Sequence, residues 1–141
     1  MYKALCVGLL LGALAPLQAQ IEMPQPSPKA ELKQAIGLMD ASITYSRPSA
    51  RGRKIFGDLV PFGKLWRTGA NMATVIEFSD SVTISGKNLA PGKYSLFSIP
   101  GAQEWTLILN SVWNQGGTSR YDEAKDVVRI KTKPEIVPFT E

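Results

Sequence analysis

Residues 90–109, APGKYSLFSIPGAQEWTLIL, decide the fold class. Ala90-Pro91-Gly92 is a turn, Lys93 to Ile99 reads as a strand, Pro100-Gly101 breaks the chain, and Trp105 to Leu109 reads as a second strand. The same grammar extends outward. Residues 41–47, ASITYSR, alternate with Ile43 and Tyr45 on one face, and residues 74–78, TVIEF, alternate with Thr74, Ile76 and Phe78. Ser81 to Ile84 is closed by Ser85-Gly86-Lys87-Asn88, a hairpin-type turn in which Gly86 can supply positive φ. Tyr121 to Asp126 allows one helical turn before a last strand, Val127 to Thr132. Short strands punctuated by Gly and Pro, with no long helical period, predict an all-β, mainly antiparallel single domain, a sandwich or barrel-like sheet with at most one short helix. One stretch reads two ways. Ser27-Pro28 followed by KAELKQAIG offers a helix N-cap and good helix formers, while Leu32, Gln34 and Ile36 on one side also fit an edge strand.

The first residues set the expected compartment. MYKALCVGLLLGALAPLQAQ carries one charge at Lys3, an apolar run from Ala4 to Leu14, then Pro16 and Ala19, the pattern of a secretory signal peptide (residues 1–19) cleaved after Ala19. Pro16 cuts the run short of the about 20 apolar residues a membrane span needs, so no transmembrane anchor is expected. Residues 20–30 hold three prolines and read as a flexible lead-in to a β-rich domain over 31–141. The protein is thus expected to be periplasmic or secreted.

Composition excludes several chemistries. The chain has no histidine, and its one cysteine, Cys6, leaves with the leader. Ser-His-Asp and Cys-His catalysis and imidazole- or thiolate-bound zinc or copper are therefore ruled out, and any metal would be a hard, oxygen-bound ion such as calcium. No metal site and no cofactor are expected, and neither a GxGxxG nor a phosphate loop is present. Removing Lys3 from the 16 basic residues leaves 15 against 12 acids, a net charge of +3. The charge is local: Arg47, Arg51, Arg53, Lys54, Lys64 and Arg67 face only Asp58, making that segment +5. Export, the small net charge and the lack of a recognisable module argue against nucleic acid as a partner.

The runs YSRPSARGRKIFGDLVPFGKLWRTGANMATVIEFS, PGKYSLFSIPGAQEWTLILN and NQGGTSRYDEAKDVVRI together resemble the domain of unknown function 2911 family (DUF2911), exported proteins abundant in Bacteroidota. The resemblance spans about Pro26 to Pro134. It implies export and a β-rich domain, favours a strand for Ala30 to Gly37, and brings no activity or catalytic residue. Relatives commonly carry an acid where this chain has Met72 and an aromatic where it has Gly116. The chain is C-terminally short relative to the family, which is expected to leave a sheet edge uncovered.

Lys64, Trp66, Arg67, Thr68 and Asn71 form the sharpest constellation. If Leu65-Trp66-Arg67 is extended, Trp66 points away from Leu65 and Arg67, and the Thr68-Gly69-Ala70-Asn71 turn can aim Arg67 and Asn71 at one spot. An aromatic platform beside Arg and Asn suits a sugar or acidic small molecule. The same residues equally fit a core Trp66 with Arg67 satisfying a buried carboxylate or loop carbonyls. Arg51 and Arg53 sit on a loop that either grips anions or is solvated. Trp113, Asn114, Gln115, Tyr121 and Asp122 form a second group, able to supply an opposite wall if the two loops share one end of the sheet. Asp122, Glu123 and Asp126 fit calcium, acid–base work or a solvated loop. The leading expectation is non-catalytic binding of a small anionic or saccharide ligand through Arg67, Asn71 and Lys64. The alternatives are a structural or interaction domain of the cell envelope, and a hydrolase built on carboxylates such as Asp58 or Asp122 with Arg67 as stabiliser. The sequence sets no oligomeric state.

Overall fold

The computed structural model describes residues 23–135 and 137, so the leader read over 1–19 lies outside the described residues. The strands are β1 (Lys29–Ile36), β2 (Met39–Ser46), β3 (Thr74–Phe78), β4 (Val82–Ile84), β5 (Lys87–Leu89), β6 (Gly92–Ile99), β7 (Trp105–Asn110) and β8 (Asp126–Thr132), with a 3₁₀ turn at Glu123–Lys125. Six strands form one sheet in the order β1-β2-β3-β6-β7-β8, and β4-β5 forms a separate ribbon. All of these pairings are antiparallel. The fold is therefore all-β, as the Gly and Pro punctuation predicts.

The ambiguous segment is a strand that begins at Lys29, inside the stretch read as lead-in. A helix this short is marginal in water unless it docks an apolar face, and Leu32 and Ile36 offer little to dock. Pairing with β2 instead occupies β1 along its whole length, from Lys29↔Ser46 to Ile36↔Met39. The closing loop is Gly37-Leu38, and Gly37 at φ +65 supplies the positive φ that a two-residue hairpin needs.

The ribbon corrects one boundary. Ser85 and Gly86 both have positive φ, 50 and 77, so the turn is these two residues alone. Lys87 to Leu89 then returns as β5, with Val82 opposite Leu89. The short KNL run lacks an apolar alternation, which hides it in the sequence.

A single sheet has two faces, and both are covered at its centre. On one face the β4-β5 ribbon packs over Tyr94, Leu109 and Val128, with Leu89 inserted among them. The opposite face carries Phe97 and Ile108, both fully buried, under Ala73, Leu65 and Tyr121. A β-bulge between β7 and β8 lets Val127 join the ribbon-side core while Asp126 pairs with Asn110. The long segment 47–73 is tied to the end of β6 by two hydrogen bonds between Trp66 and Ser98, each 2.8 Å. No helix among the described residues is long and apolar enough to cross a membrane.

Phe97 fills the centre of the second core, so Phe97→Ala is expected to lower unfolding stability by about 3–5 kcal/mol in urea denaturation.

Candidate functional site: a polar cleft on the β2-β3-β6 face

Strand alternation builds the floor of this site. Ser42, Thr44 and Ser46 are successive same-side positions of β2, with Val75 and Glu77 on β3 and Lys93 on β6 beside them. A cleft of ≈ 300 Å³ lies over them, closed by Met72, Trp113 and Asn114 and reached by Lys29. A shallower hollow of ≈ 340 Å³ shares Ser42 and Glu77 and extends toward Asp40.

The charges in the cleft are arranged rather than scattered. Glu77 stands opposite Lys93 in the ladder, and the two form an ion pair at 3.7 Å. Lys93 Nζ also lies 5.1 Å from the centre of the Trp113 ring, a cation–π contact that sets the indole over the polar floor. Trp113 and Met72 remain 44% and 48% exposed, an apolar rim on a polar hollow. Lys29 has no carboxylate partner among the described residues.

The loop that carries Trp113 is braced from below by a buried polar network. Asn110, fully buried, donates to Asp126 Oδ1 (2.8 Å) and to the Asp122 carbonyl (2.9 Å), and accepts from the Val112 N–H (3.0 Å) and Gln115 Nε2 (3.1 Å). Gln115, 2% exposed, also donates to the Val112 carbonyl. Its own carbonyl accepts from the Ala73 N–H at 2.9 Å, and Met72 bridges Gly116. The loop after β7 and the loop before β3 are thus joined side by side at one end of the sheet.

Of the sequence-derived candidates, Trp113 and Asn114 line the cleft. Asn71, at φ 58, sits at its edge and donates long hydrogen bonds to Ser46 Oγ (3.5 Å) and the Ser27 carbonyl (3.4 Å). Trp66 points to the other face, as alternation with Leu65 requires. There it meets Phe56 edge-on at 5.8 Å while its indole N–H donates to the Gly69 carbonyl at 3.1 Å. Arg67 is partly buried, its Nε has no hydrogen-bond partner, and it meets no carboxylate among the described residues. Lys64 and Arg51 are exposed. Arg53 folds back onto its own loop, donating to the Ala50 and Ser49 carbonyls at 2.9 Å each. Lys64, Trp66 and Arg67 therefore do not form the wall that the cleft presents.

Tyr121 is structural. Its ring packs edge-on against Phe97 at 5.0 Å, and its hydroxyl donates to Asp126 Oδ2 and accepts from Arg129 Nη2 at 3.0 Å. Burial first, and then the hydrogen bond to Asp126, push its phenol up to about 12. The carboxylates read as a calcium or acid–base group have other partners: Asp122 accepts from the Ala124 N–H, Glu123 pairs with Arg129 at 3.0 Å, and Asp126 serves Asn110, Tyr121 and Arg129. Among the described residues no three Asp, Glu, His or Cys side chains gather as a metal site.

The residues missed from sequence are Lys29, Ser42, Thr44, Ser46, Glu77 and Lys93. Their signal was present as the polar side of the alternating strands, which a search for apolar periodicity passes over.

Fold and cleft together define a small antiparallel β domain with an open polar hollow on one sheet face. The family described as "Protein of unknown function (DUF2911)" matches residues 27–141, and the chain belongs to that family. No curated protein and no solved structure matches the chain.

Asn110→Ala leaves several buried polar partners unpaired at once, so a loss of about 1–3 kcal/mol or more is expected in chemical denaturation, with Trp113 fluorescence shifting as its loop loosens. A phenol whose folded pKa is raised contributes stability in full below its unfolded value of 10.0, and loses it as pH rises toward about 12. Thermal melts across that window are expected to fall more steeply for the wild type than for Tyr121→Phe.

Proposed function

We propose that the protein is an exported domain that binds a small acidic saccharide, or a polyhydroxylated anion of similar size, without catalysis in the Trp113 cleft. The carrying observation is the half-exposed Trp113 held by Lys93 above three hydroxyls in a row on β2. Alternate residues of a strand stand roughly 7 Å apart, a spacing that lets two neighbours among Ser42, Thr44 and Ser46 meet polar groups on opposite sides of one ring. An indole beside such a floor gives a sugar the apolar contact that its ring C–H groups need. Lys29 and Lys93 against Glu77 leave the hollow one positive charge, which favours an acidic group on the ligand. Among the described residues Glu77 is the one carboxylate lining the cleft, whereas glycoside hydrolysis commonly needs a facing pair. That supports binding over a carboxylate-based hydrolase.

A structural role has its own observation at a different place. Trp66, Thr68 and Thr74 lock the 66–74 corner: the Trp66 indole reaches Gly69, Thr68 Oγ1 donates to Ser98 Oγ at 2.9 Å, and Thr74 Oγ1 donates to the Thr68 carbonyl at 2.6 Å. We assign Trp66 to the fold and Trp113 to the ligand.

Isothermal calorimetry on the purified protein with glucuronate, glucose and inorganic phosphate tests this division. Glucuronate is expected to bind most tightly. Trp113→Ala is expected to weaken it about tenfold or more, a loss of about 1.4 kcal/mol, at unchanged Tm. Trp66→Ala is expected to lower Tm instead. Silence from all three probes overturns the reading.

A further inference from the structure

Among the described residues β1 is an edge of the sheet, and its outer side is organised for one particular neighbour. The register of β1 against β2 pairs residues whose numbers sum to 75, and the Arg47 N–H donates to the Pro28 carbonyl at 3.0 Å just outside the ladder. In an antiparallel ladder hydrogen-bonded pairs alternate with non-bonded ones. The even residues of β1, from Ala30 to Ile36, therefore spend their backbone groups on β2. Lys29, Glu31, Lys33 and Ala35 direct theirs outward. The outward set is symmetric about Leu32.

We infer that β1 is the interface of a twofold-symmetric dimer, in which β1 of a second copy pairs antiparallel with it about an axis through Leu32. In that register Glu31 lies opposite Lys33 of the second copy and Lys29 opposite its Ala35, and each pair exchanges two backbone hydrogen bonds. Every outward N–H and C=O of β1 then has a partner. The side chains agree with the backbone. Two Glu31–Lys33 ion pairs form across the axis on the cleft face, and Leu32, 62% exposed in the single chain, meets its own copy in the close, non-bonded position on the other face. Ile36, 55% exposed, falls opposite Pro28 of the second copy.

The neighbouring registers are poor. A slip of two residues one way sets Glu31 against Glu31 and Lys29 against Lys33; the other way sets Lys33 against Lys33. A one-residue slip puts Leu32 opposite a charged position. Lysines on a bare edge ordinarily discourage pairing. Here the symmetric register gives each of them a Glu or an Ala. Glu31 and Lys33 of one chain lie 3.4 Å apart on the exposed edge, so the same two groups need only turn to meet their symmetry mates. The product is a continuous twelve-strand sheet with both clefts on one face, since the axis runs perpendicular to the sheet.

Light scattering after size exclusion, over a concentration series of the purified protein, reads the association directly. The wild type is expected to approach twice the chain mass. Glu31→Lys and Lys33→Glu should each give folded monomers that still melt cooperatively, with a Tm that no longer depends on protein concentration, because each sets like charges opposite one another twice. Mixing the two monomeric variants should restore a dimer, since every 31–33 pair is then complementary, and the double variant should dimerise alone. A wild type that stays monomeric up to its solubility limit overturns the inference. So does a dimer that survives both reversals, or one that neither the mixture nor the double variant restores.

Discussion

The two-sided burial of β6 is the constraint from which the rest of the structure follows. Tyr94 is buried on the ribbon face, Ser95 and Phe97 on the cleft face, and Ser98 beside the Trp66 corner. A strand with both sides out of water needs cover from two directions, and a chain of this length has no second sheet large enough to give it. The β4-β5 ribbon covers one side. The loops before β3 and after β7 cover the other, and because they come from distant parts of the sequence they must be joined. The Ala73–Gln115 hydrogen bond and the Met72–Gly116 bridge are that join. The cover stops partway across β3, and the cleft is the part of the sheet it leaves open.

Pro91-Gly92 and Pro100-Gly101 fix both ends of β6 and the break before β7 through local backbone geometry, which needs no tertiary information. Whether Lys29–Ile36 is helix or strand depends on pairing with β2, and local propensity points to the wrong answer until the hairpin closes. β5 is hidden because three residues with one buried side chain carry no period. The +5 segment is a real feature of the sequence, but its arginines are spent differently: Arg53 ties its own loop and Arg67 is packed at the corner.

The site was only half legible for a related reason. Trp113 stands out because a tryptophan on a glycine-rich loop is costly to leave unexplained. Ser42, Thr44, Ser46, Glu77 and Lys93 do not stand out, since each is an ordinary outward residue on its own strand. Only the register that aligns β2, β3 and β6 turns them into one surface. Tyr121 shows the converse. It reads as a ligand contact in the sequence, yet its hydroxyl joins the Asp126 carboxylate to the exposed Arg129 guanidinium, and the β-bulge that brings Asp126 to face Asn110 cannot be read from residue order.

The bridge between Met72 and Gly116 sets the glycine beside the Met72 side chain that closes the cleft. A Cβ added at Gly116 would come within 3.5 Å of the Met72 sulfur, so the two positions share one volume at the cleft wall. A bulky side chain at 116 needs a short or retracting one at 72, and the flexible thioether suits the present pairing because it fills the space a missing side chain leaves. A change at either position is thereby felt at the other, and the shape of this wall can be altered by a compensated exchange of two residues while the sheet beneath stays as it is.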